Sequence, residues 1–170
     1  TFIIIFIKCI VMSKIEFYEK QKFTQLWVWI ILVASFLFPC LIPVLSNEDI
    51  QFLNDDSRIV LLLGLVFCLL FYLLELRISV TSKGIHYQFF PMHFKSYIIR
   101  FDEIENVEAI TYSPIKDYGG WGIRYRYKAK AYNVRGNKGV KVNLKNGRHI
   151  LIGSQNHNAL ANAIDNFIGS

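Results

Sequence analysis

The sequence predicts a membrane-anchored chain in two parts, a helical hairpin followed by a small α+β, mainly-β domain that ends in one helix. Three observations predict this. Two long apolar runs, Leu26 to Leu45 and Ile59 to Leu74, lie in the first half of the chain. From Arg77 onward, apolar and polar residues alternate in short segments separated by turn residues. Near the end the pattern changes to Leu160, Ile164 and Phe167, the i, i+4, i+7 spacing of one helix face. With 170 residues, 53% of them hydrophobic, there is room for one small domain plus an anchor.

The first run, LWVWIILVASFLFPCLIPVL, carries no charge. Its length as a helix is about 30 Å, the thickness of a bilayer's hydrocarbon core. The second, IVLLLGLVFCLLFYLL, is slightly shorter, and Leu76 and Ile78 extend it past Glu75. Trp27 and Trp29 at the start of the first helix, and Tyr72 near the end of the second, sit where interfacial anchors belong. Pro39 and Pro43 fall in the far half of the first helix, where a spanning helix tolerates a kink. The connection SNEDIQFLNDDSR is acidic, whereas Lys8, Lys14, Lys20 and Lys22 precede the first helix and a basic excess follows Arg77. The positive-inside rule then puts both termini of this multi-pass protein in the cytoplasm and the acidic loop outside.

The expected organisation is an N-terminal segment over residues 1–25, two spans within 26–76 (about 26–45 and 59–76), and a cytoplasmic domain over 77–170. Met12 reads as the natural initiator, which would leave residues 1–11 outside the native protein. Cys9, Cys40 and Cys68 form no CxxC or Cys/His cluster, so neither a disulfide framework nor a zinc site is indicated.

In the last part, RISVT and IHYQFF flank Ser82-Lys83-Gly84 as a hairpin, and Pro91 closes it. SYIIRF and VEAITY supply two more strands. Ile123 to Lys130 alternates cleanly, Ala131 to Val134 joins the same hairpin system, and GVKVNL turns at Asn146-Gly147 into HILI. Ser154 is a candidate N-cap for the final helix. About seven short strands and one helix describe a strongly bent sheet or partly open barrel, with the helix over its open end.

The blocks ISVTSKGIHYQF, FDEIENVEA, YSPIKDYGGWGIR, AYNVRGNKGVKVNL and NGRHILIGSQ, after two spans, resemble bacterial two-span membrane proteins with a cytoplasmic PH-like domain. The resemblance covers nearly everything from Met12 to Ile168, and GGWGIR and IGSQ are its most specific parts. It implies a location in the bacterial inner membrane and a bent antiparallel barrel of about seven strands capped by a C-terminal helix, and no established activity. RYRYKAKAY is more basic than the family's pattern, which often has a glycine there. NHN follows IGSQ where a Pro-Glu-type helix start is common.

Gly119, Gly120 and Gly122 surround Trp121 but form no phosphate loop. No GK[ST] follows, GxGxxG fails at Tyr125 where its third glycine is due, and a strand follows where a helix is required. A tight turn explains them. Arg124, Arg126, Lys128 and Lys130 alternate, so a continuous strand puts them on one face. One reading is a solvated face that stops an edge strand pairing. The other is contact with anionic lipid headgroups, enlarged by Lys138, Lys141, Lys145 and Arg148. In eukaryotic phosphoinositide-binding PH domains the basic cluster lies in the first hairpin, where this chain has only Arg77 and Lys83.

His86, His93, His149 and His157 lie in different segments with no metal-ligand spacing, and Asp102, Glu103, Glu105 and Glu108 read as a solvated turn and strand face. No Ser/His/Asp or Cys/His constellation is present, and no cofactor is indicated. The expected function is a non-catalytic binding or assembly module at the inner leaflet, with a lipid or protein partner and no nucleic acid. The alternatives are an accessory or enzyme acting on a membrane-bound substrate, and a structural oligomer built by pairing open β-edges. Two or more of His86, Tyr118, Trp121 and the acidic cluster in one pocket would favour chemistry.

Overall fold

The computed structural model describes residues 15–45 and 55–169, with side chains for 15–39, 41 and 58–169. It divides into two compact units. Lys22–Leu74 forms a helical unit, and the described residues before it and after it form a β-rich unit. The expectations for residues 1–11, for Met12 and for most of the acidic connection lie outside the described residues, as do Cys9 and the side chain of Cys40.

The helical unit holds α1 (Leu26–Leu45) and α2 (Asp55–Leu73), which follow the two apolar runs. Phe36 stacks on Phe67 with ring centroids 5.7 Å apart, and Gly64 lies so close to Phe36 that a β-carbon there would stand 2.7 Å from the ring. The helices cross where a small residue admits a large one. Among the described residues, however, no helix is long and apolar enough to cross a membrane. The two-span anchor is thereby corrected, and the multi-pass inner-membrane location and terminus orientation fall with it. Trp29 donates its indole N–H to the Phe23 carbonyl at 3.1 Å, the Lys22 ammonium lies 4.8 Å from the Tyr72 ring centre, and Trp27 is half exposed.

The β-rich unit is α+β with two sheets. β1 (Ile15–Lys22), β2 (Glu75–Thr81), β3 (Gly84–Phe90) and β4 (Tyr97–Ile99) form one sheet in the order β1-β2-β3-β4. The second contains β5 (Ile104–Thr111), β6 (Gly122–Arg126), β7 (Ala129–Asn133), β8 (Lys138–Leu144) and β9 (His149–Gly153), in the order β5-β8-β9-β7-β6. Two helices complete the unit, α3 (Pro114–Tyr118) and α4 (His157–Ile168). The single antiparallel barrel of about seven strands is therefore also corrected. Among the described residues there are two sheets, of four and five strands, and β7 runs parallel to β9. Hydrophobic alternation identifies a strand but not the edge it joins, and β9 takes the place between β8 and β7 that a simple meander would give to neighbours in sequence.

Register explains the core. Leu76, Ile78 and Val80 oppose Phe89, Tyr87 and Ile85 on one face of the first sheet, and all six are buried. In the second sheet, Val140 opposes Ile152 and Val142 opposes Ile150, and this face packs with Leu160 and Ile164 of α4. A smaller core lies on the sheet's other face, where Tyr112, Ala131 and Leu151 are covered by Ile110 and Tyr118. The Asn133 amide, fully buried, donates to the Tyr112 hydroxyl at 2.9 Å and accepts from the Gly122 N–H at 2.9 Å.

The strand β1 has no counterpart in the sequence expectation, because its buried positions are polar. Glu19 accepts from the Ser154 hydroxyl and from the Gln155 N–H at 2.9 Å, and Gln21 donates to the Gly153 carbonyl at 2.8 Å. Ser154 in turn accepts from the Asn156 N–H at 3.1 Å, so the N-cap of α4 is Asn156 rather than Ser154, and the carboxylate that serves the helix start comes from another strand.

Candidate functional site

The residues Asp117 to Tyr132 make a helix end and a hairpin. Ser113 precedes α3, Pro114 opens it, and Gly119 ends it in the left-handed conformation at φ 75°, with its N–H bonded to the Ile115 carbonyl and that of Gly120 to the Pro114 carbonyl. This is the glycine-terminated helix end that satisfies the last carbonyls. Gly120 and Gly122 also have positive φ, and β6 starts at Gly122. A turn ahead of a strand was foreseen, but the short α3 before it was not.

The continuous strand expected from Ile123 to Lys130 breaks at Tyr127-Lys128, where Lys128 adopts φ 58°. Arg126 pairs with Ala129, Tyr125 with Lys130 and Arg124 with Ala131. Directly paired residues share a face. Arg124 and Arg126 therefore lie on one face, Lys130 shares the other with Tyr125, and Lys128 sits at the tip. The four bases do not form one stripe.

Each base has a distinct environment. The Arg126 guanidinium donates to the Asp117 carbonyl at 2.6 Å near the end of α3, where a cation is favoured. A methyl group on Gly120 would stand 3.1 Å from the Arg124 guanidinium. The Lys130 ammonium lies 5.5 Å from the centre of the Tyr125 ring and that of Lys128 lies 5.5 Å from the Tyr127 ring. Tyr127 is 90% exposed.

The parallel pairing of β7 with β9 brings in a second turn. Ala129 pairs with His149, and the His149 N–H donates to the Lys128 carbonyl at 3.0 Å. The tip of the β6–β7 hairpin thus lies beside the Asn146-Gly147 turn joining β8 to β9. Between them is a cleft of about 630 Å³ whose lining includes Tyr125, Arg126, Lys128, Lys130, Arg148 and His149. Burial lowers the His149 pKa, Lys141 lowers it further, and Glu108 partly opposes them. Of the residues expected to enlarge the patch, Arg148 lines the cleft and exposed Lys145 begins the turn. Lys138 lies at the other end of β8, opposite Thr111, about 20 Å away along the strand. Lys141 lies opposite Glu108.

The groups weighed for chemistry are dispersed. Thr81 and His86 hydrogen-bond across a β-turn at 3.1 Å, Trp121 donates to the Gly136 carbonyl at 3.0 Å, and Tyr118 packs edge-on against Tyr112. Asp102 pairs with Arg100 at 3.1 Å in solvent, and Glu108 accepts from Asn143 at 2.8 Å. The basic cleft holds none of them. Among the described residues no group of three or more His, Cys, Asp or Glu could hold a metal ion. His93 and His149 are lowered by burial first and by a lysine second, Lys130 for the former and Lys141 for the latter.

No family model and no curated protein matches the chain. With two sheets in place of one barrel and no membrane-crossing helix among the described residues, the resemblance to two-span bacterial proteins with a PH-like domain is overturned.

Proposed function

We propose that the chain is a non-catalytic binding module whose ligand presents clustered phosphates, and that the basic end of the second sheet is the surface that receives them. One observation supports this most strongly. Two hairpin turns meet there and bring Lys128, Lys130 and Arg148 to one cleft, beside exposed Tyr125 and Tyr127. The tyrosines there supply an apolar ring with a polar edge suited to a headgroup layer.

The test is flotation of the full chain with phosphatidylcholine vesicles, with and without phosphatidylglycerol, alongside titration with glycerol phosphate in solution. Near an anionic surface each base contributes about 1 kcal/mol, so K128Q/R148Q should weaken the phosphatidylglycerol-dependent binding roughly 30-fold. Neither side chain supports α3, so the variant keeps its fold. A saturable response to glycerol phosphate without vesicle binding would assign the cleft to a soluble phosphate ester. Vesicle binding indifferent to phosphatidylglycerol or to the double variant would refute the reading.

A further inference from the structure

The outer face of the first sheet carries a second, chemically different recess, of about 360 Å³. This lies at the small end of the roughly 300–1,000 Å³ range of small-molecule sites. Its lining includes Tyr18 of β1, Ser79 of β2, His86 and Gln88 of β3, Lys83 of the β2–β3 turn and Ser96 before β4. The register explains the convergence, because Ser79 pairs directly with His86 and Arg77 with Gln88, so their side chains emerge together on the face opposite the core.

Some polar groups here are already committed. Arg77 is bound to the buried carboxylate of Glu75, which Lys20 shares at 2.8 Å, and lies over the Phe90 ring, so its guanidinium is already engaged. Thr81 bonds the His86 Nε2 and the Lys83 N–H. The Gln88 amide nitrogen donates to the His93 carbonyl at 3.0 Å. What remains toward the recess is the hydroxyls of Ser79 and Ser96, the Gln88 Oε1, the His86 Nδ1, the Lys83 ammonium and the ring of Tyr18, which is 59% exposed.

That set is unlike the basic cleft. Hydroxyls, an amide oxygen and an imidazole nitrogen stand with the Tyr18 ring in one recess, and Lys83 is the lining cation that no described carboxylate holds. An apolar ligand would leave these groups unpaired, and a bare anion would use only one of them. We propose that the recess binds a monosaccharide-sized polyol bearing one carboxylate. Its sugar face rests on Tyr18, its hydroxyls exchange hydrogen bonds with Ser79, Gln88 and Ser96, and its carboxylate meets Lys83.

Saturation-transfer NMR on the full chain with glucuronate, glucose and acetate tests this. Glucuronate is expected to bind best, glucose about ten-fold more weakly, and acetate not at all, because the charge-assisted bond to Lys83 adds to the hydroxyl contacts without replacing them. K83Q should bring glucuronate to the level of glucose, and S79A/Q88A should weaken both sugars with circular dichroism unchanged. Acetate binding as well as glucuronate would overturn the polyol part. Equal binding of glucose and glucuronate would overturn the role of Lys83. No transfer from either sugar, or transfer that survives S79A/Q88A, would overturn the site itself.

Discussion

Replacing Glu19 by alanine tests how β1 is held. The residue is 9% exposed, and its carboxylate receives the Ser154 hydroxyl and the Gln155 N–H just before α4. A hydrogen bond to a charged acceptor contributes about 1.5–3 kcal/mol, and a buried donor left without one costs about 1–3 kcal/mol. Ser154, though fully buried, keeps the Asn156 N–H as a partner, so its own loss is only partial. The expected cost of E19A is therefore about 3 kcal/mol, and a domain of this size would melt roughly 10 °C lower. E19Q keeps an acceptor for Gln155 and should cost about 1 kcal/mol. Urea denaturation followed by near-ultraviolet circular dichroism measures both, and hydrogen exchange at the Gln155 amide locates the effect. A cost for E19A below about 0.5 kcal/mol, with Gln155 still protected, would show that β1 is not fastened through this carboxylate.

Gly139→Ala places a β-carbon 2.6 Å from the Ile152 carbonyl oxygen and 3.1 Å from the Gly153 α-carbon, both backbone atoms, so a loss of about 2 kcal/mol should appear in the same urea transition. Lys128→Gly removes a side chain from a residue at φ 58° and should leave stability equal or up to about 0.5 kcal/mol higher, while Lys128→Val should lower it. Burial raises the Glu75 pKa, but hydrogen bonds and charge attraction from Lys20 and Arg77 outweigh it, and the net value falls below 4.5. His86, His93 and His149 are each lowered from 6.5, chiefly by burial. In all four the native state binds protons less readily than the unfolded chain, so stability is full above the unfolded values. It should fall as pH drops below 6.5, and again as it passes below 4.5. A urea midpoint that is flat or rises on acidification across this range would contradict the assignment.

Much of the local structure was legible. The strand pairs around Lys83-Gly84 and Asn146-Gly147 follow from alternation interrupted by turn chemistry, and α4 follows from Leu160 and Ile164. Two elements escaped for identifiable reasons. α3 is only five residues long and shows no period, and β1 buries Glu19 and Gln21 where the alternation rule looks for apolar side chains. The basic residues were legible as a group but not in their arrangement. Alternation over RYRYKAK is compatible both with one strand and with two strands joined at Tyr127-Lys128, and nothing in the residue types marks Lys128 as the position that adopts positive φ.

By itself, the sequence determined that two apolar helices, expected over about 26–45 and 59–76, precede a strand-rich region ending in a helix, and that this region carries the basic charge, although the second helix stops at Leu73 and Glu75 already begins a strand. Side-chain period and turn residues are local quantities, read within a few positions. Only the tertiary structure decided that β9 lies between β8 and β7, that Arg148 therefore joins Lys128, and that Arg124 and Arg126 turn away from Lys130. Strand edges carry the same backbone donors and acceptors whatever their sequence. Which edges meet is set by the burial of Ile152, Leu151 and Tyr132 across the whole unit, and the site is made where those edges end.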